Sequence, residues 1–356
     1  MRRHLSKRIA LLLCLFASST WAADTLTFAA VGDIMMGLNY PNATPILPPQ
    51  DGALTFESVG DTLLSADVTI GNLEGVLLDS GGTAKSCANP NVCYVFRMPE
   101  RYAKHLVDAG FDLMSIANNH SGDFGEQGRK STVKVLSAAG IGFAGFEGAA
   151  ETHVMEKDGV KYGFVAFAPN IGTVSFRDLA RAKALLAELR KNSDIVIVSM
   201  HIGAEGPSHT RVTRKTETFV GENRGNPYEF ARFAIDNGAD LVFGHGPHVA
   251  RAVDLYKGKF IAYSLGNFAT NTSVNISGKN GYAPIIKVRT DKNGNFIDGE
   301  IISAIQEGEN GARRPVLDAT GACIKEIKKL TEADIPESGL NIDEKTGRIT
   351  RKRDTD

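Results

Sequence analysis

Five short polar clusters, each closing an apolar run, constrain this chain more than any other feature. Leu26–Val31 ends in Gly32-Asp33, Val68–Ile70 in Gly71-Asn72-Leu73-Glu74, and Asp112–Ala117 in Asn118-Asn119-His120. Ile195–Met200 ends in His201, and Leu241–Phe243 in Gly244-His245-Gly246-Pro247-His248. Short apolar runs bounded by glycine and polar residues read as buried β-strands. In an α/β protein, groups at the carboxyl ends of strands converge on one crevice. Carboxylate, amide and imidazole gathered there form a donor set for divalent metal ions. The ordered set predicts a metal-dependent hydrolytic site, with two ions as one form of it. Each member alone has a plainer reading: Asp33 as a turn cap, Glu74 as a solvated loop residue, His201 as a hydrogen-bonded core imidazole. Five in order, each after a strand, favour the site.

The rest of the pattern is α/β with antiparallel pieces. Helical spacing occupies Arg101–Ala109 and Glu126–Ala139, stopped by Gly110 and Gly140. Arg177–Lys191 and Asn226–Asn237 read as further helices. Asp158-Gly159 within Val154–Val165 is a hairpin signal, and Lys257-Gly258 within Val253–Tyr263 plays the same part. Lys292-Asn293-Gly294-Asn295 divides Ile285–Ile302 in the same way. These antiparallel pieces predict two sheets rather than one parallel sheet. Met36–Ala53, rich in Pro and Asn, is irregular and follows Asp33 closely enough to rim the cleft. From Gln306 the pattern fades, and the charged stretch Asp343–Asp356 reads as a mobile tail.

The first 22 residues read as a cleaved secretory signal. Arg2, Arg3, Lys7 and Arg8 form a basic start, Ile9–Phe16 an apolar run too short to span a bilayer, and Thr20-Trp21-Ala22 a cleavage site before Ala23. The expected product is periplasmic or extracellular, with an uncleaved anchor as the alternative. The segment carries four basic residues and no acidic one, so its removal takes the formal net charge from −1 to −5. That balance gives no support for a nucleic-acid partner. Cys87 and Cys93 bracket a turn-rich loop and form a disulfide in an oxidising compartment. A C-x5-C metal pair has no His or Cys nearby to complete it. Cys323 is left over as a half-buried thiol.

Chemistry can be assigned to several of these side chains directly. Asn119 can ligate a metal through its carbonyl oxygen, His120 can protonate a leaving group, and Asp123 can hold that imidazole in one tautomer. His245-x-x-His248 lets two imidazoles face two neighbouring ions. Glu205, four residues past His201, is a candidate supporting partner. His209, Arg211, Arg214, Lys215 and Arg224 lie in the stretch between Glu205 and Pro227. They either bind an anionic polymer or phosphate or form a solvated loop. Tyr263–Phe268 reads as the site floor, with Asn267 behind the ligands. His105 and His153 are assigned to a helix face and a strand surface.

The chain resembles the CapA family of capsule and poly-γ-glutamate synthesis proteins, within the calcineurin-like metallophosphoesterase superfamily. The resemblance runs from about Thr27 to Val288. It rests on Val31-Gly32-Asp33, Gly71-Asn72-Leu73-Glu74, Phe96-Arg97-Met98-Pro99 and Ala117-Asn118-Asn119-His120 with Asp123. It continues through His201-x-Gly203-x-Glu205, Gly244 to Val249, and Tyr263-Ser264-Leu265-Gly266-Asn267-Phe268. It implies a four-layer αββα sandwich of two mixed sheets at residues 23–305, followed by an extension at 306–356. It further implies one or two divalent ions (Mn, Zn or Fe). Asp33 and His248 would hold the first ion, Asn119, His201 and His245 the second, with Glu74 bridging and His120 as general acid. Asn72, Arg97, Glu205, His209, Arg211 and Asn267 would support the ligands or meet substrate. The superfamily's first motif is Asp-x-His, but here that second position is Met35, which weakens the first site.

Three functions remain open on the sequence. One is an exported metal-dependent hydrolase of envelope or capsule polymer metabolism, acting on the anionic polymer or a phosphorylated precursor. Another is a non-catalytic polymer-binding or assembly protein, with a membrane-bound polymer synthase as candidate partner. The third is a γ-glutamyl amide hydrolase or transferase at the same site.

Overall fold

The computed structural model describes residues 25–87, 93–272, 274–309 and 311–352. The signal-peptide expectation lies outside the described residues.

The central strand of the main sheet is Thr25–Met35, and it alternates sides as a pleat requires. Phe28 and Ala30 face one core, while Ala29 and Val31 face another. The sheet runs Leu340–Ile342, Arg348–Arg351, Phe296–Ile302, Ile285–Asp291, Thr25–Met35, Val68–Leu73, Leu113–Ser115, Gly142–Ala144. Its last four members are parallel. Ile285–Asp291 pairs antiparallel with the first half of the central strand, and Asn267–Thr270 pairs parallel with its end. The second sheet runs Val253–Tyr256, Lys259–Ala262, Leu241–His245, Ile195–His201, Val160–Phe167, Thr152–Lys157. Its inner four strands are parallel and both outer pairs are hairpins. The hairpin turns fall at Asp158-Gly159 and Lys257-Gly258, all four with positive φ, the backbone that tight hairpins need.

Three cores separate four layers. Phe28, Ile70 and Leu113 of the main sheet meet Phe164, Ile197 and Phe243 of the second. The outer face of the main sheet buries Val31, Leu73 and Met114 against Leu63, Leu106 and Leu136, from the helices Gly60–Leu64, Ala103–Asp108 and Gly125–Ala138. The outer face of the second sheet buries Val196, Val198 and Val242 against the helices Leu179–Asn192 and Pro227–Asp236. Leu179–Asn192 presents Ala182, Leu185, Leu186 and Leu189 at helical spacing, and Asp178 caps it through the Arg181 N–H. Asn226 caps Pro227–Asp236 in the same way, with proline at its first turn. The layers are therefore α, β, β, α, as expected.

The end of the chain departs from the expectation of an unpatterned, mobile tail. Ala304–Glu307 and Arg314–Leu317 form a hairpin, and helix Ala322–Asp334 follows. That helix places Cys323, Ile324 and Ile327 in the core between the sheets. Residues 340–351 add two antiparallel strands to the edge of the main sheet. The edge strand buries Leu340 and Ile342 in the core between the sheets, and the strand inside it needs even less. Ile349 alone anchors its strand, fully buried, while Arg351 donates to the Phe296 carbonyl at 2.9 Å. Cys323 is fully rather than half buried, and burial pushes its thiol up to about 11.

Asp318 organises the start of that helix. Its carboxylate accepts from the Thr320 N–H and hydroxyl, the Ala322 N–H and the Ser303 hydroxyl. Partial burial would raise this carboxyl; the Thr320, Ala322 and Ser303 hydrogen bonds outweigh it and bring it down to about 2. A depressed carboxyl stabilises the fold above its unfolded value and stops doing so as pH falls toward 2. Asp318→Asn should therefore cost about 1 kcal/mol near neutrality, discounted for solvent screening. Thermal melts of both proteins should differ at neutral pH and converge in strong acid. A gap that is unchanged in acid would contradict this account.

Candidate functional site

The two parallel halves end on the same side, and their polar clusters meet between the sheets. Two glycines make the approach possible. A Cβ on Gly32 would stand 1.9 Å from the Gly266 oxygen, and one on Gly244 would stand 2.1 Å from the Tyr263 oxygen. The residues just after them, Asp33 and His245, are thereby set at the strand ends. His245 lies in register with His201 on the adjacent parallel strand, so the two imidazoles come from neighbouring positions. His248 has φ 56°, a conformation uncommon for a residue with a side chain and one that concentrates at functional sites.

Asp33 Oδ2 is 2.9 Å from His248 Nδ1, and Oδ1 is 3.4 Å from His245 Nδ1. Asn72 donates to Asp33 Oδ1 at 2.8 Å and accepts from Asn118 at 3.2 Å, which fixes the carboxylate from behind. His248 Nε2 is 3.5 Å from Glu74 Oε1 and 3.8 Å from Glu205 Oε2. One donor atom each of Glu74, His201 and His248 lie within 4.8 Å of one another. Asn267 donates to the His248 carbonyl at 3.3 Å.

Several of these atoms are buried and have no hydrogen-bond partner. They are both oxygens of Glu74, both ring nitrogens of His201 and of His245, and the Asn119 side-chain oxygen. Orphaned polar atoms in a folded interior are costly, so a cluster of them calls for a compensating group. The charges are strained in the same sense. Burial would raise the Asp33 carboxyl, but His245 and His248 outweigh it and hold it well below the usual range. Glu74 is pushed well above its usual range by burial, with Asp33 and Glu205 adding repulsion. Burial drives His201 well down. His248 is also opposed by burial, yet Glu74, Asp33 and Glu205 raise it to about 10.

A second group borders the first. His120 Nδ1 meets Asp123 Oδ2 at 2.7 Å, and its Nε2 points back to Glu74 Oε1 at 3.9 Å. Burial lowers the His120 imidazole despite the Asp123 charge. Asp123 also accepts the Phe96 N–H at 2.6 Å and pairs with Lys85 Nζ at 2.6 Å. The Phe96 ring stacks on His120, with centroids 3.9 Å apart. Lys85 and Phe96 flank a segment closed by the Cys87–Cys93 disulfide, which is present as expected.

Other expected roles are redirected. Arg97 is buried and spends its donors on the Asn39 and Asn42 side chains and on the Asn39 and Gly81 carbonyls, so it holds the rim rather than facing substrate. Arg211 is tied to Asp334, and Arg214 to Glu337 and the Asp334 carbonyl. The two brace the loop against the C-terminal helix. His209 packs edge-on to Phe219. Arg224 is the basic residue of this stretch that reaches the site, pairing with Glu205 at 2.5 Å. Glu205 faces His248 and Arg224, where the sequence placed it behind His201.

The model of the family described as bacterial capsule synthesis protein PGA_cap matches residues 27–272. The chain belongs to that family. It is 26% identical over 299 residues to the capsule biosynthesis protein CapA of Bacillus anthracis, covering 75% of this chain and 68% of that one. It is 28% identical over 269 residues to the PGA biosynthesis protein CapA of Bacillus subtilis (strain 168), covering 70% and 64%. The chain thus spans about two thirds of the length of these relatives. Among solved structures, a putative 5'-nucleotidase from Staphylococcus aureus aligns with a TM-score of 0.45 at 14% identity, covering 87% of this chain and 58% of that one. In this family member the matched segment contains every residue of the buried cluster, from Asp33 to His248.

Proposed function

We propose that this protein is an exported, metal-dependent hydrolase of capsule or related envelope-polymer metabolism. The observation that carries the reading is the set of unpartnered buried donors on Glu74, Asn119, His201 and His245. Oxygen and nitrogen donors of this kind fit Mn, Zn or Fe. Those four residues would hold one ion, and Asp33 and His248, with Glu74 between, would hold a second. Such an ion supplies Lewis-acid polarisation and an acidified water. The chain supplies the rest. Asp123 takes the His120 Nδ1 hydrogen, leaving Nε2 as the atom that exchanges a proton on the side of Glu74. Asn72 and Asn118 hold Asp33 in place, and Arg224 orients Glu205. The Cys87–Cys93 bridge supports an oxidising compartment.

One observation favours a weaker first site. Met35 packs with Leu38 and Phe96 in an apolar cluster, and a thioether there cannot replace an imidazole ligand. Asp33 and His248 also satisfy each other directly. A protein with one ion, or a polymer-binding protein without turnover, is the second reading. The test is turnover by protein loaded with Mn, Zn or Fe, offered phosphomonoesters, phosphodiesters and γ-glutamyl peptides. Hydrolysis of one class supports the enzyme and names the bond. No turnover of any class, with metal bound, supports binding or assembly.

A further inference from the structure

A cleft of about 650 Å³ opens beside the His120–Asp123 pair, and its walls include Lys85, Asn119, Arg129, Asn170, Arg177 and Asn223. Its two carboxylates are already committed. Asp123 is paired with Lys85 and His120, and Glu222 lies 3.2 Å from Arg224 Nε. Two cations are not. Among the described residues, neither Arg129 nor Arg177 has a carboxylate partner; neutral backbone carbonyls hold both. Arg129 donates to the Ile171 carbonyl at 2.6 Å. Arg177 donates to the Pro169 carbonyl at 2.9 Å and to that of Asn223. The chain makes room for the first of them. A Cβ on Gly172 would stand 2.2 Å from Arg129 Nη1, and one on Gly122 would stand 2.9 Å from Nη2. Arg129 Nε and the Asn170 side-chain oxygen are buried without partners.

A guanidinium fixed by carbonyls keeps its full charge and loses little freedom on binding an anion. Its planar fork matches a carboxylate or a phosphate. We infer that Arg129 and Arg177 form a subsite for an anionic group of the substrate, carboxylate or phosphate, next to the bond presented to His120. The unpartnered Asn170 oxygen beside them suits an amide or hydroxyl donor on the same ligand. This inference rests on the hydrolase reading for its place in the reaction, but not for its binding chemistry.

The test is calorimetric titration of the whole protein, at low salt, with two probes: a γ-linked tetraglutamate and inorganic phosphate. The variants are Arg129→Gln, Arg177→Gln and the double variant, with thermal melts to establish folding; the single variants carry the test if the double does not fold. Each single change should weaken binding about tenfold, the loss of one charged hydrogen-bonding partner. Lysine at either position should restore part of it. Arginine-dependent binding of tetraglutamate alone identifies a carboxylate ligand, and of phosphate alone a phosphorylated one. Unchanged affinity in folded variants, or no binding of either probe to the parent, overturns the subsite. Elemental analysis of the same samples separates the two ideas. Arginine-dependent binding by protein that takes up no metal keeps the subsite and removes the hydrolase; metal-loaded protein whose binding ignores the arginines does the reverse.

Discussion

His120→Ala should lower turnover of a hydrolysable substrate by about 10²- to 10⁴-fold, the usual contribution of a positioned proton-transfer group. Metal content should not change, because the ring reaches Glu74 only at 3.9 Å and is held by Asp123 rather than by the donor cluster. Asp123→Asn should give a smaller loss of the same kind. It keeps the shape but removes the charge that fixes the Nδ1 hydrogen and balances Lys85. Single-turnover kinetics with parallel elemental analysis checks both. A His120→Ala protein that turns over normally would remove the imidazole from the mechanism; one that loses its metal would make it a ligand instead.

The second large effect is on stability. Arg251 and Glu217 form a fully buried two-point pair, Nη1 to Oε1 at 2.9 Å and Nη2 to Oε2 at 2.8 Å. Glu217 also accepts the Ala204 N–H at 2.8 Å, and Arg251 donates to the Ala204 carbonyl at 3.2 Å. The pair therefore ties the loop after His248 to the loop that carries Glu205. Removing one partner strands the other charge in the interior. Arg251→Ala or Glu217→Ala should each cost about 3–5 kcal/mol. The double change Arg251→Met with Glu217→Leu should recover much of that loss, since a buried pair often does no better than packed apolar side chains. Denaturant unfolding of the three variants reads this directly. A double variant no better than either single would contradict it.

What the sequence revealed and what it hid divide along a physical line. Strand ends were legible because an apolar run followed by glycine and a polar group is a local pattern. Asp33, Glu74, Asn119, His120, His201, His245 and His248 could all be picked out that way, and so could the turns at Asp158-Gly159 and Lys257-Gly258. Whether a charged side chain is free depends on partners far along the chain, and no local pattern shows them. Arg97 looked available until Asn39 and Asn42 claimed it, and Arg211 until Asp334 did. Lys85 and Arg251 gave no signal, because their partners Asp123 and Glu217 lie on other elements. Arg129 was missed for the opposite reason: its importance lies in having no acidic partner. Residues 340–351 misled because a short two-stranded addition needs few apolar side chains, and Leu340, Ile342 and Ile349 are enough to reach the core.

The most direct measurement is the metal content of the purified protein, beside His201→Ala and His245→Ala. Each variant removes one buried imidazole whose ring nitrogens make no hydrogen bond, though His245 Nδ1 lies 3.4 Å from Asp33. Mn, Zn or Fe is expected in the parent and should be lost from both variants, with the fold retained. A parent that takes up none of these ions, even from excess, would contradict the metal centre and leave a polymer-binding protein in its place.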